Sequence, residues 1–199
     1  MSSIKKDEAT EELIKNTAKR IFFGEGRFNA TTQEIADAAG VNRTLINYYF
    51  RSRNALFEIV FKDAQDREQE RTESIIFSEL PFKMKIEEFI DDSFTMGTEY
   101  PYMEIYLVTQ LNQGCYFKDE EHMDRILNQF YKELEVEMDK GTITKMDPIQ
   151  FILNLISLIS FPTSMRPLFQ KTMRITDEAY NQILSDRKQI ILDLLFKNV

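Results

Sequence analysis

A short basic segment of the chain holds side chains that are well suited to binding a nucleic acid. Residues 38–57 include Arg43, Arg51 and Arg53 but no Asp or Glu. An arginine can pair with guanine or grip a phosphate through its forked donors, and the amide of Asn47 can pair with adenine. The segment is therefore compatible with nucleic-acid contact, and a solvated charged face is the alternative.

Two short helices are predicted to position these side chains. Thr31 and Glu34 form a capping-box pattern at the start of a helix over residues 32–39. Asn42 is a good N-cap for a further helix over residues 43–50. Because small alanines in the first helix allow a close crossing and a glycine-containing turn joins the two, the pattern predicts a helix-turn-helix.

The rest of the chain also shows helical periodicity, with no persistent alternation typical of strands. Further helices are predicted over residues 8–24, 53–76, 82–99, 102–113, 119–140, 148–170 and 176–197. Ser52 is expected to cap the helix that starts at residue 53, and that long helix connects the N-terminal unit to the remainder. We therefore predict an all-α fold of about nine helices.

Composition narrows the possible functions. The formal net charge is −8, yet residues 1–62 carry more basic than acidic side chains, so the excess acid lies in the rest of the chain. Cys115 is the single cysteine and His122 the single histidine. These counts exclude an intrachain disulfide and argue against a zinc site. The acidic residues around His122 are better explained as a solvated helix start, so no metal and no cofactor are expected.

Location and enzymatic activity are also constrained by the sequence. The N-terminus lacks the apolar stretch of a signal peptide, and the most apolar segment, residues 151–161, is too short and too polar to span a bilayer. We expect a soluble cytoplasmic protein without membrane contact. An enzyme is the rival class, but the chain has no nucleotide-binding glycine loop and no nucleophile with a recognisable base partner. We expect no catalytic residues.

The run ATTQEIADAAGVNRTLINYYFRSRNALF, Ala30 to Phe57, resembles the DNA-binding signature of TetR-family transcriptional regulators. The chain departs from the family at Leu45, Ile46 and Asn47, where Thr, an aliphatic residue and Tyr are usual. Arg53 stands where the family usually has a phosphate-binding lysine. The resemblance implies a helix-turn-helix DNA-binding domain over residues 1–53, followed by an effector-binding and dimerisation domain over 54–199.

The expected function is a ligand-responsive repressor that binds double-stranded DNA at a pseudo-palindromic operator and releases it when a small molecule binds. A helical interaction adaptor, or a small-molecule-binding protein without sequence-specific readout, is the alternative. The resemblance and the helix-turn-helix geometry predict a set of DNA contacts. They are Thr31, Thr32, Gln33, Asn42, Arg43, Thr44, Asn47, Tyr48, Tyr49 and Arg53. The competing interpretation is that Thr31 and Asn42 only cap helices, and that one of the two tyrosines belongs to the core.

Two further expectations concern the C-terminal bundle. Aromatic and polar side chains of the middle helices are candidates for an effector pocket, although core packing is the commoner role of such residues. The candidates are Phe94, Tyr102, Met103, Tyr106, Gln110 and Tyr116. The apolar helices near 148–170 and 176–197 are expected to form a homodimer bundle, with the core of a single chain as the alternative.

Overall fold

A computed structural model describes the backbone of residues 2–112 and 120–197. Side chains are described for residues 7–109 and 121–197. Within these ranges, the regular structure consists of ten α-helices and a π-helical turn at Arg20–Gly24. The helices are α1 Ser2–Lys19, α2 Thr32–Ala39, α3 Arg43–Phe50, α4 Arg53–Ile76, α5 Phe82–Glu99, α6 Met103–Asn112, α7 Glu120–Lys140, α8 Pro148–Ser164, α9 Arg166–Met173 and α10 Asp177–Leu195. The all-α fold class is confirmed.

The single helix predicted over residues 148–170 is two helices, α8 and α9, bent by 62°. Pro162 lies within α8 and has no N–H, so the Leu158 carbonyl four residues earlier lacks its usual partner. That carbonyl instead accepts a hydrogen bond from Arg187 Nε at 2.8 Å. The Tyr180 hydroxyl likewise donates to the Pro162 carbonyl at 2.7 Å. Side chains of α10 therefore bind backbone carbonyls of α8.

The chain divides into two compact units. The first comprises residues 1–70 and 99–106, and the second comprises 71–98 and 107–199. The domain boundary predicted after residue 53 stays a prediction, but the apolar residues of the first half of α4 are buried in the first unit. That unit's core includes Ile14, Ile21, Phe22, Phe23, Ile35, Ile46, Leu56, Phe57 and Val60.

The second unit has its own apolar core, to which α5, α7, α8 and α10 contribute. Its buried residues include Phe82, Ile86, Ile90, Phe130, Leu134, Phe151, Leu155, Ile159, Ile191 and Leu195. One charged side chain lies among them: Lys85 is 4% exposed, and its Nζ donates to the Ile76 carbonyl and to Glu133 Oε1, both at 2.7 Å. Lys85 thereby satisfies a carbonyl that the end of α4 leaves unpaired.

Among the described residues, no single helix has both the length and the apolar character needed to cross a membrane. The bent pair α8–α9 meets those criteria only when its two helices are taken together.

Candidate DNA interface

The start of α2 is fixed by the predicted capping box. The Thr31 hydroxyl accepts from the Glu34 N–H at 3.2 Å, and the Thr31 N–H donates to Glu34 Oε2 at 2.8 Å. Hydrogen bonds from the Thr31 backbone and hydroxyl lower the pKa of the Glu34 carboxyl. Arg27 forms an ion pair with the other oxygen of this carboxylate, a contact that the sequence analysis missed. The helix then ends at Gly40, whose φ of 66° is left-handed.

The next helix, α3, is capped by Asn42. Its Oδ1 accepts from the Thr44 N–H at 2.9 Å and from the Thr44 hydroxyl at 2.7 Å. Since Asn42 uses its oxygen in the cap, the donors of its amide nitrogen remain for an outside acceptor. Ile46 and Phe50 face the core, and both are at most 3% exposed.

The opposite face of α3 collects four of the predicted DNA contacts. Arg43, Thr44, Asn47 and Tyr48 are all exposed, and Tyr48 is 71% exposed. Their spacing of three and four residues places them along one side of the helix. This face can present a guanidinium, an amide and two hydroxyl groups to a single partner.

Three other predicted DNA contacts already have protein partners. The Thr31 hydroxyl donates its proton to Glu34 Oε2 at 2.8 Å, and Gln33 Nε2 donates to Asp37 Oδ1 at 2.7 Å. The Tyr49 hydroxyl donates to the Asp7 carboxylate in α1. This hydrogen bond raises the pKa of Tyr49 to about 12. The Asp7 contact links positions far apart in sequence, so no local pattern predicts it.

Arg53 turns toward the protein interior. Its Nε donates to the Ala30 carbonyl at 3.2 Å, and its guanidinium carbon lies 5.0 Å from the ring centres of Phe22 and Phe57. Burial lowers the pKa of Arg53, and its Nη2 is buried without a hydrogen-bond partner in the described part of the chain. In this arrangement the side chain joins the loop before α2 to the start of α4. The sequence predicts a positive charge at Arg53 but not that this side chain points inward.

The candidate effector residues fall in different units. Phe94 is half-buried and packs against the core of the second unit. Tyr102, Met103 and Tyr106 belong to the first unit. The side chains of Gln110 and Tyr116 lie outside the described residues. The described candidates are therefore divided between the two units, and their shared role in one effector pocket stays a prediction.

Tyr106 instead belongs to an aromatic cluster with Phe23, Phe28, Phe57 and Phe61. Its ring centre lies 6.1, 5.2, 4.7 and 5.0 Å from theirs, in that order. These distances fall in the range of favourable ring pairs. The cluster joins the first turn of α6 to α4 and to the turn that follows α1. Its members are far apart in sequence, so spacing alone did not identify it.

Comparison with known families now identifies the helix-turn-helix. A model of the bacterial regulatory proteins of the TetR family matches residues 14–60, which contain the capping box, α2, α3 and the start of α4. Residues 14–60 therefore form a domain of the TetR family of bacterial regulatory proteins. No curated protein matches the chain.

Solved structures extend the likeness in fold to nearly the whole chain. A TetR transcription regulator from Haloarcula marismortui aligns with a TM-score of 0.59 at 16% identity, covering 96% of this chain and 100% of that one. A TetR-family regulator from Marinobacter aquaeolei gives 0.57 at 15%, covering 96% and 98%. The regulator FadR from Bacillus subtilis, in complex with stearoyl-CoA, gives 0.56 at 19%, covering 94% and 98%.

Proposed function

We propose that this TetR-family regulator is a cytoplasmic repressor that binds double-stranded DNA sequence-specifically and has no enzymatic role. The exposed face of α3 carries the proposal, because it holds Arg43 and Asn47 on a helix fixed by its cap and by packing against α2. In the major groove, Arg43 would donate to guanine and Asn47 would pair with adenine. Thr44 and Tyr48 flank them on the same face and would add contacts to base edges or phosphates.

We propose that phosphates bind around the start of α2 and at the ends of α3. The first N–H groups of α2, at Thr32 and Gln33, lie where a helix favours an anion. The freed amide donors of Asn42 serve the same role. Contact through Thr31, Tyr49 or Arg53 additionally requires each side chain to leave its present partner, so we expect these three to contribute less than their residue types suggest.

We propose a homodimer formed through α8 and α10, within the segments 148–170 and 176–197. Each of these helices buries one apolar face and exposes a second. The exposed residues are Ile149, Leu153 and Ile156 on α8, and Ile183, Ile190 and Leu194 on α10, all between 43% and 65% exposed. An exposed apolar face of this kind is unusual for a monomer. In a two-fold dimer the same face of the partner would cover it. Two copies of α3 could then contact half-sites about 34–36 Å apart.

We propose that a small effector controls this dimer. FadR, whose fold is similar to that of this chain, was solved in complex with stearoyl-CoA. In the present chain, α4 and α6 each begin in the first unit and continue into the second. An effector that binds the second unit and shifts either helix would change the separation of the two α3 helices, which must match the half-sites. Release of the operator would follow.

The decisive experiment is selection of DNA fragments from the source genome with the purified full chain at a stated salt concentration. We expect recovery of a short pseudo-palindrome, with affinity that falls steeply as salt rises. The variant Arg43→Ala should relax the sequence preference at one base pair, while Arg174→Ala, which removes an exposed arginine from the second unit, should retain the full preference. Sequence-indifferent recovery by the wild-type chain would refute operator recognition and favour the interaction adaptor.

A further inference from the structure

The turn between α3 and α4 contains a strained residue that is not glycine. Arg51 has φ 64° and ψ −39°. The Ser52 N–H donates to the Phe50 carbonyl at 2.7 Å, which closes a three-residue γ-turn with Arg51 at its centre. This form of γ-turn, with positive φ, is rare and strained for residues that carry a Cβ. A glycine would adopt it at lower cost.

Arg51 also continues the exposed face of α3. Its N–H donates to the Asn47 carbonyl at 3.0 Å, so its Cα lies one helical turn beyond Asn47. Asn47 in turn lies one turn beyond Arg43. All three residues are exposed, and the line of proposed DNA contacts therefore ends in a second guanidinium.

The two arginines that flank Ser52 behave differently. Arg53 packs its guanidinium over Phe22 and Phe57 and donates to the Ala30 carbonyl. Arg51 is exposed, and within the described part of the chain no ion pair includes it. The strained turn thus leaves the Arg51 guanidinium facing solvent at the C-terminal end of α3. With α3 in the major groove of a bound duplex, the sugar-phosphate backbone that borders the groove would pass this end of the helix.

We propose that Arg51 binds a DNA phosphate at this end of α3, and that the strained turn is retained because it holds the guanidinium there. The assignment rests on the proposed DNA-binding function and adds a contact that is not among those predicted from the sequence. Strained backbone that persists at an exposed position is consistent with a functional constraint. A phosphate contact at Arg51 contributes affinity without sequence preference.

The variant Arg51→Gly tests the proposal, because it removes the charge and relieves the strain together. Tm should rise by about 2–4 °C. Affinity at 0.15 M salt should fall about five-fold, and the slope of log affinity against log salt should decrease in magnitude by about 0.9, as expected for one lost phosphate. The fall in affinity and the change in slope should each be the same for the selected operator duplex and for an unrelated duplex. Arg51→Lys should retain the wild-type slope.

Arg174→Gly is the matched control. Arg174 is also exposed with positive φ, 56°, but it ends α9 in the second unit. This variant should raise Tm without changing the salt slope. If Arg51→Gly raises Tm but binds both duplexes as the wild type does, or if it loses affinity only for the operator, the phosphate assignment is overturned. A wild-type chain that binds neither duplex overturns the proposed function itself.

Discussion

Replacing Gly26 by Ala tests how the segment before α6 is attached to the first unit. Gly26 has φ +69°, and a Cβ placed there would lie 3.0 Å from the Tyr102 ring. The Tyr102 N–H donates to the Phe23 carbonyl at 3.0 Å, which holds that ring against the turn. A left-handed alanine costs about 1–2 kcal/mol. Overpacking against a fixed ring adds about 1–3 kcal/mol.

We therefore expect Gly26→Ala to lower the free energy of unfolding by about 2–5 kcal/mol. Gly40→Ala is the matched control, because Gly40 has φ +66° and nothing within 4 Å of the added Cβ. It should cost only about 1–2 kcal/mol. The chain contains no Trp, so urea denaturation should be followed by the circular dichroism of the helices.

A double-mutant cycle separates the two contributions. In a Tyr102→Ala background, the cost of Gly26→Ala should fall to that of Gly40→Ala, because no ring remains to be displaced. Equal costs for Gly26→Ala and Gly40→Ala in the wild-type background would refute the close contact between Gly26 and Tyr102. The Tyr102 ring would then not be what holds the segment before α6 on this turn.

Three further predictions address the DNA interface, the dimer and the N-terminal helix. Arg43→Ala should weaken operator binding by about 1–3 kcal/mol and relax the preference at one base pair; equal loss on every single-base operator variant would instead mean a phosphate contact. Leu194→Glu should give a monomer in sedimentation experiments, while Leu13→Glu, at an exposed apolar residue of the first unit, should stay dimeric; a dimeric Leu194→Glu would contradict the proposed interface. Asp7→Asn should lower the pKa of Tyr49 from about 12 toward its ordinary value, measured by ultraviolet titration against a Tyr49→Phe reference. The raised pKa of Tyr49 favours the protonated phenol in the folded state. The hydrogen bond to Asp7 therefore contributes its full stability at pH values below the pKa of Tyr49 in the unfolded chain, and this stability is lost as the pH rises through the pKa of Tyr49 in the folded protein. An unchanged Tyr49 titration in Asp7→Asn would exclude Asp7 as the cause of the raised pKa.

The helices of the DNA-binding motif could be predicted closely from sequence. The bounds of α2, α3 and α4 agree with those expected from the capping box at Thr31, the cap at Asn42 and the glycine stop at Gly40. Ser52 also caps α4 as expected, since its hydroxyl accepts from the Ala55 N–H at 3.1 Å. These signals act over three or four residues, so the chain need not be folded for them to be recognised.

The break between α8 and α9 was not predicted, although its cause lies in the sequence. Pro162 and Pro167 both lack an N–H within the span expected to be one helix. Apolar residues recur at helical spacing through both positions, at Phe161, Met165, Leu168 and Phe169, so periodicity alone predicts one continuous helix. The hydrogen bond from Arg187 to the Leu158 carbonyl comes from α10, and only the tertiary structure places it there.

The sequence by itself determined the helix-turn-helix, the other helices apart from the break between α8 and α9, and the types of side chain available for DNA. The tertiary structure decided which way those side chains point. Arg53 turns onto Phe22 and Phe57, and Tyr106 packs among the aromatic rings of its own unit. The physical reason is range: caps and turns depend on neighbouring residues, whereas burial and ring packing depend on groups that only folding brings together.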